Sequence, residues 1–266
     1  MSKDTNKKHT IHSVNGIQYL NIRAFEMAGA IQHAFTTRKG GLGDRDGRFK
    51  ETREWASMAD VLCIAPEKLV TLNQVHGSSI LHVDGQNYSH LKTLQGDAMI
   101  TSSRGLAIGV ETADCVPILL FDPVAPAVAA VHAGWRGTVT KIAQKTVLSM
   151  KQSFNTEPAR LIAAIGPAIG PECYEVDEPV MELIRNAFPY WQKIATARSL
   201  ERWSLNLVMA NTIELANIGL NRKNIHTLDM CTSCRNDLFY SFRHEGRTGR
   251  MLSVIALKSG NESCRF

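Results

Sequence analysis

A chain of 266 residues, 44% apolar and 21% charged, falls in the ordinary range of a soluble globular protein and can bury a sizeable core. The net charge of +5 is modest and no run of Lys or Arg forms a nucleic-acid arm, so the balance at most favours anionic small molecules. No apolar run approaches membrane-spanning length and the basic opening MSKDTNKKHT is not followed by a signal-peptide core, so the expectation is a cytoplasmic protein without nucleic-acid or membrane partners.

In chain order, residues 1–15 read as a mobile N-terminal tail, and RKGGLGDRDGR (38–48) reads as a loop before a short helix at roughly 50–62. Short apolar runs broken by turn residues then predict strands at 69–77, 78–84, 97–101, 106–112, 116–122 and 127–133. Between the last two, Asp122-Pro123 and Ala125-Pro126 leave too little chain for a crossover helix, which predicts an antiparallel hairpin. Both of its strands are rich in Val, Ile, Leu and Ala and should be buried on both faces.

A helix is predicted from near Gly137 to about Phe154, with Val139, Ile142, Ala143, Val147 and Met150 on one stripe. LIAAIG (161–166) returns as a strand and IGPAIGPECYEVDE is a punctuated loop. Helices at 178–188 and 206–218 and strands at 224–229 and 251–257 follow. Strands grouped first and helices later indicate an α+β class, with 1–266 as one domain.

The six cysteines, Cys63, Cys115, Cys173, Cys231, Cys234 and Cys264, are irregularly spaced, which argues against a disulfide framework. Three segments place a metal-ligand type at a strand end beside a small or turn residue: His76 in NQVHGSS, Cys115 in ETADCVP and His132 in AAVHAGWRG. Catalytic zinc usually takes three such ligands and leaves a fourth position open. The bland alternative is that Cys115 is core and the histidines are hydrogen-bonded structural residues. Pattern alone leaves both open.

At NQVHG, GDAMIT, ETADCVPILLFDP, AAVHAGWRGT, IGPAIGPECYEV and FYSFRHEGRTGRM the sequence resembles the YfiH family, also called laccase-domain or purine nucleoside phosphorylase-like proteins. The resemblance runs from HAFTTRKGG to near residue 257. It implies a single α+β domain with mixed or antiparallel sheets sandwiched between helix layers, in an α-β-β-α manner. It also implies one zinc on His76, Cys115 and His132. The implied chemistry is phosphorolysis of adenosine, inosine, guanosine and methylthioadenosine, and deamination of adenosine, which makes a purine nucleoside and phosphate the partners.

Deamination needs an acid/base group beside the activated water, and Glu111, Asp114 and Asp97 are the local candidates. Asp114 can equally orient a ligand histidine, and Asp97 can equally be a turn former. For phosphate, Trp135, Arg136, Gly137 and Thr138 open the helix after His132 and offer backbone N–H groups, with Arg136 as a bidentate partner and Arg38 as a second candidate. The competing reading is that Thr138 caps the helix and Arg136 is solvated. Trp135 can stack on a purine or pack in the core, and Asn73 and Gln74 can bind a base or orient His76.

Cys231-Thr-Ser-Cys234 can be half a structural zinc site or a redox pair, but with no second pair at finger spacing it reads first as a buried turn, and Arg243, Arg247 and Arg250 read as a solvated face. GGLGDRDGRFKETREW is short and polar where family members carry a Ser/Asn-Leu segment, which bears on substrate range. Two other enzyme readings compete. One is a peptidoglycan-editing hydrolase acting on a UDP-muramyl precursor, with a variant in which Cys115 is a nucleophile and His132 its base. The other is a copper polyphenol oxidase, which nine histidines without a His-x-His pair supply poorly, so copper is less expected than zinc. A zinc-stabilised binding module would instead close the site with a fourth ligand. The sequence leaves the oligomeric state open.

Overall fold

The computed structural model describes residues 9–39, 53–85 and 94–260. Strand β1 (His9–Val14) pairs antiparallel with β2 (Ile17–Ile22) through a tight turn at Asn15 and Gly16, both at positive φ (51° and 83°). Asn-Gly is the pair that a two-residue hairpin turn prefers, because both positions need a left-handed backbone. Residues 9–14, expected within a mobile tail, are therefore part of a sheet. They escape a strand reading because HTIHSV is a partly exposed edge with polar residues on both faces.

With β3 (Ile31–Thr36), β4 (Leu69–Val70), β7 (Ala107–Thr112) and β15 (Met251–Leu257) they form a mixed six-stranded sheet in the order β1-β2-β3-β15-β7-β4. A second six-stranded sheet contains β5 (Ile80–His82), β6 (Ala98–Thr101), β8 (Val116–Asp122), β9 (Ala127–Ala133), β10 (Ile162–Ile165) and β14 (Ile225–Thr227), in the order β14-β10-β8-β9-β6-β5. A small third sheet joins β11 (Glu175–Asp177), β13 (Arg202–Leu205) and β12 (Ala195–Ala197), which the sequence pattern did not announce.

The β8–β9 hairpin is antiparallel as expected, with Val116 opposite Ala133 and Asp122 opposite Ala127. The Asp122 carboxylate closes its turn by accepting from the amides of Val124 (2.9 Å) and Ala125 (3.1 Å). Every residue of both strands is buried. Val116, Ile118 and Leu120 face a core built with helices α4 (Ile142–Phe154), α5 (Glu178–Ala187) and α6 (Leu207–Asn217). Leu119 and Phe121 face the first sheet, meeting Phe35, Ile108, Val110 and Ile255. The outer face of that first sheet packs Ala34, Val254 and Ala256 against Trp55 and Met58 of α2 (Arg53–Val61). The result is the α-β-β-α sandwich that the resemblance implies, in one α+β domain.

Two further expectations change. The helix expected from Gly137 to Phe154 is α3 (Trp135–Val139) followed by α4, broken at Lys141, whose φ is 60°. The Thr140 hydroxyl bonds the carbonyls of Arg136 and Gly137, a local alternative to continuing the helix. The strand expected over 69–77 stops at Val70, and the chain runs irregularly to Ile80 with only a bridge from Asn73 to Gln95. The remaining described α-helices are α1 (Arg23–Ala28) and α7 (Phe242–Glu245), and no described helix is long and apolar enough to cross a membrane.

Candidate metal centre

The register of the second sheet assembles the site. His132 is the penultimate residue of β9 and pairs with Pro117, so the step beyond the ladder sets Cys115 opposite Gly134. On the other side of β9, Ala98 opens β6 opposite Val131, and the His132 amide donates to the Asp97 carbonyl at 2.7 Å. Asp97 and Cys115 thus flank His132 because three strands are in register. His76 arrives from the irregular segment and is fastened by Asp97, whose carboxylate accepts from the His76 amide (2.9 Å) and the Gly77 amide (2.7 Å).

The same carboxylate meets His132 Nδ1 at 2.8 Å, with both side chains buried. Burial pushes the Asp97 pKa up, but the bonds from His132, Gly77 and His76 outweigh it and hold the carboxyl below its usual range. An ionised Asp97 only accepts, so Nδ1 of His132 carries the proton and Nε2 is left as a donor atom. His76 and His132 stand edge to face with ring centroids 4.8 Å apart. One donor atom from each of His76, Cys115 and His132 lies within 4.8 Å of the others, so the group can hold a metal ion.

Backbone strain gathers here. His76 has φ 58° and Asp114, just before Cys115, has φ 93°, conformations that non-glycine residues adopt only when held. Gly134 shows how tight the approach is: a Cβ there would lie 3.1 Å from Cys115 Sγ and 3.2 Å from His76 Cδ2. Burial pushes the Cys115 thiol up, yet the hydrogen bonds and charges of His132 and His76 bring it down to about 6. Burial lowers His132, and bonds to Asp97 and Cys115 raise it to about 9. In the metal-free chain the pair is biased toward thiolate and imidazolium; a cation on Nε2 would displace the proton there while Asp97 keeps the one on Nδ1.

The three side chains line a cavity of about 780 Å3, within the range of small-molecule sites. Asn73, Gln74, Glu111, Asp114, Trp135 and Arg136 also line it. Both ends of the Gln74 amide are engaged by the Glu111 backbone at 2.8 Å, so Gln74 braces β7. The Arg136 guanidinium lies 4.3 Å over the Trp135 ring. Asp114 accepts from Thr232 Oγ1 and the Arg243 amide, each at 2.6 Å, so Asp97 rather than Asp114 is the carboxylate that steadies a histidine. The regular strand that would have directed Asp114 is absent at φ 93°.

Arg38, Asp97, Gly137 and Thr138 do not line the cavity. Arg38 pairs with Glu245 at 3.0 Å and lies over Tyr240. Thr138 sits inside α3, whose N-cap is Gly134, and its hydroxyl accepts from Asn211 at 2.9 Å. Gly137 packs α3 onto the His76 turn, where a Cβ would lie 3.1 Å from the Gly77 carbonyl. Tyr174, Phe242, Arg243 and Arg250 line the cavity without having been singled out for it. Their signal lay in the long motifs IGPAIGPECYEV and FYSFRHEGRTGRM. Arg243, expected on a solvated face, donates to the Glu175 carbonyl and stacks 5.1 Å over Tyr174.

Most of the GGLGDRDGRFKETREW segment lies outside the described residues. Residues 27–258 match the family described as multi-copper polyphenol oxidoreductase laccase. The chain belongs to this family. Among relatives of this laccase-domain chain, a Deinococcus radiodurans protein named purine nucleoside phosphorylase is 36% identical over 246 residues, covering 86% of this chain and 90% of the relative. Escherichia coli purine nucleoside phosphorylase YfiH is 34% identical over 218 residues, covering 81% and 83%. The crystal structure of the Bacillus licheniformis hypothetical protein YfiH superposes with a TM-score of 0.83 at 30% identity, covering 92% of this chain and all of that one.

Proposed function

We propose that the chain is a zinc-dependent purine nucleoside enzyme that cleaves purine nucleosides with phosphate, and that the same centre deaminates adenosine. The observation that carries the reading is the convergence of His76, Cys115 and His132 at a cavity wall, with His132 held by Asp97. Two imidazoles and a thiolate suit zinc, and the cavity leaves room for a fourth position. Among the described residues no histidine-rich second group accompanies them, as a multicopper oxidase would need. The names borne by the relatives support the nucleoside substrate class.

A zinc ion bound there would supply a Lewis acid that sharpens an oxygen nucleophile near neutral pH. The chain's own residues do the rest. Trp135, Tyr174 and Phe242 give the cavity aromatic walls suited to a purine. Arg136, Arg243 and Arg250 line the same space and supply positive charge for phosphate. In phosphorolysis a phosphate oxygen bonds to C1′ of the ribose as the C1′–N9 bond breaks, and the base leaves with the electron pair and takes a proton. In deamination water displaces ammonia at C6, and Glu111, which lines the cavity, would move the proton.

A second reading draws on one observation. Asp97, His132 and Cys115 form a line in which a carboxylate holds an imidazole beside a thiol of lowered pKa, as a cysteine nucleophile requires. That arrangement would serve amide hydrolysis on a UDP-muramyl precursor without metal. Metal analysis together with adenosine and inosine turnover, with and without phosphate, separates the readings. Zinc content, chelator sensitivity and ribose 1-phosphate formed only with phosphate are expected. Metal-free turnover stopped by thiol alkylation would overturn the zinc reading.

A further inference from the structure

A second group of donors lies outside this centre. Cys173, Cys231 and Cys234 bring their sulfur atoms within 4.8 Å of one another, and Cys173 and Cys234 are 3.3 Å apart. All three are free thiols, Cys173 and Cys231 half-buried and Cys234 exposed. The C-x-x-C pair alone offers two ligands and reads first as a turn, but the fold supplies a third sulfur from the loop after β10. The bridge between Ala168 and Cys231 draws that loop onto the 231–234 turn, as do the bonds from the Ala168 amide to the Met230 carbonyl and from the Thr232 amide to the Ala168 carbonyl.

We infer that these three cysteines form a second metal site, for a thiophilic cation of the zinc class held by three thiolates with one position open to solvent. Two features point this way. The first is spacing: sulfurs bound at about 2.3 Å to one tetrahedral ion stand about 3.8 Å apart, in the range seen here, whereas a disulfide needs about 2.05 Å. The second is the backbone around Cys231. The Gly170 amide points at its sulfur from 3.1 Å and the Cys234 amide from 3.5 Å, with the Ser233 amide adding to them. Amide donors converging on one sulfur favour a thiolate, the ligand form of cysteine.

The site's position gives it a task. Thr232 between the cysteines holds Asp114, and Tyr174 next to Cys173 lines the nucleoside-sized cavity. An ion shared by Cys173, Cys231 and Cys234 ties these two stretches of cavity wall together.

The test is an anaerobic cobalt(II) titration of the reduced, metal-free full chain, read by thiolate-to-cobalt charge transfer in the near ultraviolet. Two equivalents per chain are expected, and Cys234→Ser, at an exposed position, should remove one of them with most of the charge-transfer intensity. Cys231→Ser should do the same, and His76→Ala should leave that equivalent in place. The cysteine-dependent equivalent stands even if the His76–Cys115–His132 group binds nothing, so the two claims fail separately. Overturning results would be cobalt binding that Cys234→Ser and Cys231→Ser leave unchanged, or a reduced chain that binds no ion at these cysteines and reoxidises to a Cys173–Cys234 disulfide.

Discussion

Asp97 Oδ1 accepts from His132 Nδ1 at 2.8 Å while its two oxygens also hold the amides of His76 and Gly77. One buried carboxylate therefore sets the tautomer of one candidate ligand and the backbone of another. Asp97→Asn keeps the size but loses the charge and turns an amide N–H toward groups that donate. Zinc affinity measured by chelator competition should fall about 10- to 100-fold, the usual cost of losing such a partner. Unchanged affinity would mean that Asp97 only shapes a turn.

Gly134 separates Cys115 from His76 by less than a methyl group's room. Its φ is −69°, so alanine strains no backbone there and acts only by pushing the ligands apart. Gly134→Ala should weaken zinc binding at least tenfold while the far-ultraviolet spectrum and fold are kept, as read by metal titration and circular dichroism. Binding at the original strength would show that the two side chains can move aside freely.

In the metal-free protein Cys115 is brought down to about 6 and His132 up to about 9. The signs give a window: the thiolate forms as pH rises through about 6, and the imidazolium is lost as pH rises through about 9. Alkylation of Cys115 in the chelated protein, followed by mass spectrometry of its peptide, should show a midpoint near pH 6. His132→Ala should move that midpoint up toward an ordinary thiol, and zinc should suppress the reaction. A midpoint near 9 in the unaltered chain would contradict the ion pair.

Arg243 lines the cavity while its backbone amide, which any residue keeps, braces Asp114. Arg243→Met should therefore raise the KM for phosphate about tenfold or more, the loss of one charge-assisted contact, with a smaller change in the KM for nucleoside. Equal loss on both substrates would place the guanidinium away from phosphate.

Thr232 Oγ1 donates to the buried Asp114 carboxylate at 2.6 Å. Thr232→Val leaves that oxygen without this donor and should cost about 1–3 kcal/mol in denaturant unfolding of the full chain. A change near zero would mean that the Arg243 amide alone satisfies Asp114.

What the sequence made legible was local. The β8–β9 hairpin followed from the Asp122–Pro126 turn between two apolar runs, and β15 from an apolar run. The three donors were visible as residue types, and the motif resemblance, more than their spacing, joined them. Asp97 stayed ambiguous because its task depends on the register of β6 against β9, which no local pattern encodes. His76 was expected on a regular strand, yet its φ of 58° reflects tertiary bonds to Asp97. Cys173 lies 58 residues before Cys231, and only the loop contact at Ala168 brings them together.

The most direct measurement is anomalous diffraction at the zinc edge from crystals of the purified full chain. The expected result is a peak bonded to one ring nitrogen each of His76 and His132, at about 2.0–2.1 Å, and to Cys115 Sγ at about 2.3 Å, with an open fourth position facing the cavity. A map with no peak among these three side chains, in protein that is active and has seen no chelator, would contradict the metal centre.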